Sequence, residues 1–292
     1  MRILAIGDFH GKIPYKLKKK IEHLAFDAII SPGDFSSFRE RKLFFKYIYG
    51  KKDNVELVDI IGDKKYLDII NQNESDAEKV ISYLSAFGKP MFVVTGNTDY
   101  AGQMDIGQMS DKMPKAHDRK RTLKFLKKLK ISVLDFSKSK FDGFELIGYP
   151  RSSYPGILTK KMLKKKAHYG TKERIAKQKK DYIAHKKKVE MLIKSPEKTI
   201  LLSHNVPYRT KLDKIGVHAH KLARNQHYGS ALVKELIKKY QPRLVIAGHM
   251  HENPGKIRIG KTVVVNPGAA IDGRAAIITL TDKQVKVKFL KA

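Results

Sequence analysis

The sequence predicts an α/β layered fold. Three observations predict it: short apolar runs bounded by turn residues recur along the chain, helical-looking stretches lie between most of them, and from Lys256 onward the rhythm changes to short strands joined by tight turns. In order, the expected strands are Ile3 to Ile6, Ala28 to Ile30, Met91 to Val94, Ile131 to Phe136, Phe144 to Ile147, Thr199 to Leu202 and Leu244 to Ala247. Then follow KIRI, a turn at Gly260, TVVVN, AAIITL, a turn at Thr281 to Lys283 and QVKVKFL, read as antiparallel β. In the last of these Val285, Val287 and Phe289 alternate with Lys286 and Lys288, which predicts one buried and one wet face.

Two segments interrupt the strand rhythm as helical insertions. The first, about 35–88, is mixed in charge and carries Phe44, Phe45, Tyr47 and Tyr49, aromatics expected to pack on the body. The second, 157–194, holds 14 Lys or Arg against 3 Asp or Glu, with Gly170 and Thr171 expected to separate two helices. With no internal repeat and no Pro-rich linker, residues 1–292 read as one domain with these two insertions.

The composition narrows the chemistry. The 292 residues contain 60 Lys plus Arg and 29 Asp plus Glu, a formal net charge of +31, with 41% hydrophobic residues and no cysteine. That apolar share over this length supports a sizeable core and excludes a disordered chain. The lack of cysteine excludes disulfides, thiolate metal sites and a cysteine nucleophile, so any metal must sit on His, Asp, Glu or Asn. No run approaches the ~18 to 20 apolar residues of a membrane span. The N-terminal MRILAIGDFHG breaks at Asp8 and His10 where a signal peptide would continue, so the expectation is a soluble cytoplasmic protein.

The informative positions are the strand ends, where sites form in open α/β sheets. Asp8 and His10 end the first strand two residues apart, and period-two geometry predicts that both point the same way. Gly33-Asp34 follows the second strand and Gly96-Asn97-Thr98-Asp99 the third. Ser203-His204-Asn205 follows TILL, and Gly248-His249-Met250-His251 follows LVIA. Singly, GD and GN are turn chemistry, and a lone HxH is more often a surface pair than a ligand pair. Nitrogen and oxygen donors at five successive strand ends are a different matter, and together they point to a metal site.

These blocks, GDFH, PGDF, GNTD, LSHN and AGHMHE, resemble those of the calcineurin-like metallophosphoesterases, in the same order and over most of the chain. The segment VPYRTKLD…HYGSALVKELI…YQPRLVIAGHMHE, followed by IGKTVVVNPGA, is similar to the smaller prokaryotic and archaeal members. The resemblance implies a four-layer α/β/β/α sandwich holding two divalent metals. One would lie on Asp8, His10, Asp34 and His251, the other on Asp34, Asn97, His204 and His249, with Asp34 bridging. Mixed nitrogen and oxygen ligands suit Mn²⁺ first, with Fe²⁺ or Zn²⁺ as alternatives. The implied activity is hydrolysis of a phosphate mono- or diester by attack of metal-bridging hydroxide. The alternatives are a nuclease or a binding scaffold without catalysis, the latter weakened because all seven ligand positions are filled.

One departure bears on mechanism. In family phosphatases and nucleases the residue after the motif asparagine is a histidine that helps protonate the leaving oxygen, and here it is Thr98. The candidate replacements are His218, His220 and His227, of which His227 opens the HYGS block. The catalytic candidates are thus His227 and Asn97. Lacking the usual acid, the enzyme is expected to prefer diesters or activated esters. Arg151 and Arg274 are secondary candidates for phosphate contact, and Asp99 is expected to anchor its turn or a ligand histidine. His23, His117, His168 and His185 read as surface residues, and Asn266-Pro267-Gly268 as a turn. The charge has two readings: lysine enrichment typical of a host proteome, or a positive rim over 157–194 and 112–130 that attracts nucleic acid through its backbone.

Overall fold

The structure, a computed structural model, describes residues 1–48, 56–99, 116–118, 120–152, 172–216 and 224–292. Parallel strands form the middle of two sheets. In sheet one, β1 (Arg2–Ala5), β2 (Ala28–Ser31), β3 (Met91–Val93) and β4 (Ser132–Val133) pair in parallel. In sheet two, after the edge strand β5 (Lys138–Phe141), β6 (Phe144–Tyr149), β7 (Thr199–Asn205) and β8 (Leu244–Gly248) do the same. The chain then adds β9 (Gly255–Ile259) and β10 (Thr262–Asn266) to sheet two, and β11 (Arg274–Leu280) and β12 (Val285–Lys291) to sheet one.

The central strands read as continuous apolar runs because both of their faces are covered. On sheet one the side chains alternate: Ile3, Ala5, Ala28 and Ile30 face sheet two, while Leu4, Ile6 and Ile29 face helices. The inner layer is completed from sheet two by Leu146, Ile200, Leu202, Leu244, Ile246 and Val265. Outside sheet one lie α1 (Tyr15–Glu22), α4 (Asp63–Ser85) and α5 (Arg121–Lys128), which contribute Leu17, Ile21, Val80, Ile81, Leu84 and Leu126. Outside sheet two lie α6 (Lys172–Leu192) and α7 (Ala231–Tyr240), which bury Val189, Leu232, Val233, Leu236 and Ile237. The result is the four-layer α/β/β/α order. The Ser230 side chain caps α7 by accepting from the Val233 N–H at 3.3 Å, which accounts for the serine of the HYGS block.

In the segment about 35–88, α2 (Arg41–Tyr47) and α3 (Leu57–Ile61) precede α4, with a small core of Leu57, Val58, Tyr66 and Ile70. The long α4 is also the crossover that connects β2 to the parallel β3. The proposed break at Gly170 and Thr171 lies outside the described residues, as do Tyr49, His168, His218, His220 and, within 112–130, residues 112–115 and 119. Among the described residues no helix is long and apolar enough to cross a membrane.

Three local expectations change. The C-terminal strands do not form one antiparallel unit: β10 pairs in parallel with β8, while β11 crosses back to run antiparallel to β1. Burial on β12 does not follow one face. Val285 and Val287 pack on the inter-sheet core, but Phe289 is 41% exposed, and Leu290 on the opposite face enters the helix-side core. An edge strand is covered only where the facing layer reaches it. Finally, β5 has no apolar run in its KSKF sequence because it is a solvent-facing edge. The hairpin signal was instead Asp142-Gly143, both at positive φ (49° and 79°), the conformation a tight two-residue turn requires.

Candidate metal centre

The loops that follow β1, β2 and β3 in one sheet and β8 in the other meet the end of β7, which itself carries His204. The route differs from the strand-pleat expectation for Asp8 and His10, since β1 ends at Ala5. Four of the seven predicted ligands have positive φ: Asp8 at 53°, His10 at 45°, Asp34 at 57° and His249 at 68°. Such backbone costs on the order of 1–3 kcal/mol per residue and persists only where the surroundings hold it. Here the Asp8 N–H donates to the Gly33 carbonyl at 2.9 Å, and the Phe9 and His10 N–H groups donate to the Asp34 carbonyl at 2.8 and 3.1 Å. Phe9 and Phe35 stack beneath these loops with centroids 5.1 Å apart.

The seven side chains converge. Asp8, His10 and His251 form one group and Asp34, His204 and His249 a second, each with donor atoms within 4.8 Å of one another. In the first, His10 Nε2 lies 3.1 Å from His251 Nε2, and His251 Nε2 lies 3.7 Å from Asp8 Oδ1. In the second, His204 Nε2 is 3.2 Å from His249 Nδ1 and 2.8 Å from Asn97 Oδ1. Asp34 touches both groups, with Oδ2 3.8 Å from His10 Nε2 and Oδ1 3.7 Å from His204 Nε2. Imidazole nitrogens and carboxylate oxygens turned on shared centres at these separations fit two cations with one carboxylate between them.

The glycines of the motifs have a steric reason. A Cβ on Gly96 would fall on the Asp34 carboxylate, and one on Gly248 would lie 2.5 Å from Asp8 Oδ2. The ring of His204 is fixed because Nδ1 donates to the Pro32 carbonyl at 2.7 Å, which leaves Nε2 for the centre. The His249 backbone N–H donates to both oxygens of Asp8 at 3.0 Å.

Electrostatics separate the groups. Burial works against ionisation of Asp34, but the neighbouring His204 and His10 and the Thr98 N–H pull its pKa down to about 2. Burial and the adjacent His204 push His249 down to about 3, so this ring is a neutral donor. Burial also opposes charge on His251, yet the hydrogen-bonded Asp8 and nearby Asp34 raise it to about 9.

Several residues support the centre from behind. Asp99 anchors its turn rather than a histidine: its carboxylate accepts from the N–H groups of Asp34 (2.9 Å), Phe35 (2.8 Å), Ser36 (3.0 Å) and Gly96 (2.8 Å). Burial and Asp34 push its pKa up to about 6, against the pull of the Gly96 and Ser36 donors. The Thr98 hydroxyl donates to the Ser36 carbonyl at 3.3 Å, so this buried side chain is engaged with backbone. One residue escaped the sequence reading and another was read only as a turn near the site. Asp135 accepts from the Thr95 N–H (2.9 Å) and hydroxyl (2.6 Å), bracing the Asn97 loop. Asn266 is more than a turn residue: its amide donates to the carbonyls of Met250 (2.8 Å) and Asn253 (2.9 Å), holding the loop of His249 and His251. A fully buried asparagine closing the apolar run TVVV was the available signal.

Two expected surface histidines are buried or half-buried, whereas His23 is exposed. His117 Nε2 lies 3.2 Å from Glu74, a carboxylate on the inward face of α4 that also accepts from the Thr122 hydroxyl at 3.3 Å, because a buried charge requires partners. His185 on α6 packs against Phe136 and Tyr149 with centroids at 4.9 and 6.4 Å. Burial and the neighbouring Arg151 push its pKa from 6.5 down to about 4. The unfolded chain therefore binds a proton here that the fold refuses, and stability is expected to fall as pH drops from 6.5 toward 4. Urea unfolding at pH 7.5 and pH 5 of the wild type and His185→Phe checks this: the variant should lose less on acidification. Arg274 packs its side chain against Gly268 at the end of the Asn266 turn.

Comparison with known proteins bears on the family likeness and the fold. Residues 166–290 match the family described as Metallophosphoesterase, calcineurin superfamily. An uncharacterized protein of Methanocaldococcus jannaschii is 32% identical over 78 residues, covering 26% of this chain, and the match spans 34% of the length of that relative. One crystal structure aligns over 99% of this chain and 97% of its own at 19% identity, with a TM-score of 0.62. A phosphopantetheinyl hydrolase from Mycobacterium tuberculosis aligns over 92% and 89% at 13% identity, with a TM-score of 0.52. These two share the fold.

Proposed function

We propose that the chain is a member of the calcineurin-like metallophosphoesterase superfamily and a metal-dependent phosphoric ester hydrolase acting on a phosphate mono- or diester, a reading that the family match over residues 166–290 supports. The observation that carries this reading is Asp34, whose two oxygens are turned toward the two separate donor groups. Asp8, His10, Asp34 and His251 would hold one divalent cation, and Asp34, Asn97, His204 and His249 the other. Bound there, the pair supplies Lewis-acid activation of a water and of the phosphoryl group. A donor set of imidazole, carboxylate and amide without sulfur favours Mn²⁺, Fe²⁺ or Zn²⁺.

The protein's own part is positioning and charge. Only Asp8 and Asp34 among the seven ligands are anionic, so two divalent cations leave the centre positive and able to attract a phosphate. Asn97 adds an amide oxygen without negative charge at the edge of the second group, 2.8 Å from His204, where it is placed to bind metal and to orient the phosphoryl group. Thr98, engaged with the Ser36 carbonyl, gives no proton to a leaving oxygen. The expected result is metal-dependent hydrolysis of bis(p-nitrophenyl) phosphate, lost on chelation and restored by Mn²⁺. Hydrolysis that survives exhaustive chelation contradicts this reading.

A further inference from the structure

We propose that Asp213 and His227 form the pair that delivers a proton to the leaving oxygen, with His227 as the catalytic acid and Asp213 as the residue that positions it. The proposal rests on the phosphoesterase reading above and supplies the group that Thr98 cannot. The Asp213 carboxylate is fully buried. It accepts from His227 Nδ1 at 2.8 Å and from the backbone N–H groups of Arg209 (2.8 Å), Thr210 (2.7 Å) and Gly229 (3.1 Å). A carboxylate held this rigidly fixes the ring in one orientation with Nδ1 protonated. Nε2 is then the open nitrogen of a side chain that remains 31% exposed.

The pair is hung between the end of β7, which carries His204, and the loop after β8, which carries His249 and His251. On one side Asn205, next to His204, donates its amide to the Tyr228 carbonyl at 2.8 Å, and the Ser230 N–H donates to the Val206 carbonyl at 2.7 Å. On the other, His227 bridges to Lys214, whose carbonyl accepts from the Asn253 amide at 2.8 Å, two residues beyond His251. The Tyr208 ring meets His227 edge-on at 6.1 Å, and the Arg209 guanidinium sits 5.4 Å above Tyr208. In the step itself the ester P–O bond breaks with its electron pair going to the leaving oxygen, which takes the proton from Nε2. Water forms the new P–O bond and releases its proton to solvent, and the ring regains a proton from solvent.

General acid catalysis contributes about 10²- to 10⁴-fold, and most where the leaving group is a poor one. The test measures kcat/KM of Mn²⁺-loaded wild type and His227→Gln on phosphodiesters whose leaving groups run from p-nitrophenol through phenol to an alkyl alcohol, with bound metal counted in both. The expected result is two metals in each, and a loss that grows along the series to at least about 100-fold on the alkyl ester. Asp213→Asn should steepen the same dependence. Because Asp213 also holds backbone donors, a second readout is ¹⁵N NMR of the metal-free wild type, where the neutral His227 ring should carry its proton on Nδ1. An equal loss across the series, or a ring protonated on Nε2 alone, overturns the proposal and leaves the phosphoesterase reading standing. A wild type inactive on every ester overturns both.

Discussion

Asp34→Asn is expected to hold at most one tightly bound cation and to retain less than about a thousandth of wild-type turnover. Each tenfold is about 1.4 kcal/mol of barrier, so the loss amounts to roughly 4 kcal/mol, within what Lewis-acid stabilisation at a two-metal site supplies. The cause is geometric as well as electrostatic. The two oxygens of Asp34 lie toward His10 and His204, and one of them also accepts the Thr98 N–H at 2.9 Å. An amide in its place carries one oxygen and one donor group. It loses either the Thr98 bond or a metal bond, and it removes the negative charge between two cations. Metal analysis of the purified variant beside turnover on bis(p-nitrophenyl) phosphate checks it, and two metals with near wild-type turnover would refute the assignment.

Asp99→Ala is expected to destabilise the metal-free fold by at least about 3 kcal/mol, a large effect for a residue that touches no ligand atom. Its carboxylate satisfies four backbone N–H groups on two loops, and each buried donor left without an acceptor costs about 1–3 kcal/mol, with entering water recovering part of this. Three of those donors, on Asp34, Phe35 and Ser36, set the loop that holds Asp34 at positive φ, so metal affinity should fall together with stability. Urea unfolding of the chelator-treated chain, with Mn²⁺ titration of the same variant, separates the two effects. An unchanged unfolding midpoint would show that water replaces the carboxylate.

The comparison of these two residues shows what was legible in the sequence. Asp34 announces itself because motif, strand end and chemistry coincide within a few residues, as they do for Asp8, His10, Asn97, His204, His249 and His251. Asp99 was visible as a member of GNTD, but three of its four partners lie 63 to 65 residues away, and all are backbone amides, which carry no side-chain signature. Asp135 was passed over and Asn266 read only as a turn for the same reason, since both bind main chain that folding brings to them, whereas Asp213 binds the nearby Arg209 and Thr210 amides together with the more distant Gly229 amide and His227 ring. The layers were legible because strands buried on both faces keep long apolar runs. The edges were not, since KSKF and the exposed Phe289 answer to how far the neighbouring layer extends.

The central claim is that the ends of five strands, the last residues of β7 among them, hold two cations with Asp34 between them. Anomalous diffraction from crystals soaked in Mn²⁺ tests it most directly. The account predicts two peaks about 3.5–4 Å apart, one among Asp8, His10 and His251 and the other among Asn97, His204 and His249, with an oxygen of Asp34 directed at each. A single peak at saturating metal, or peaks away from these side chains, would contradict it.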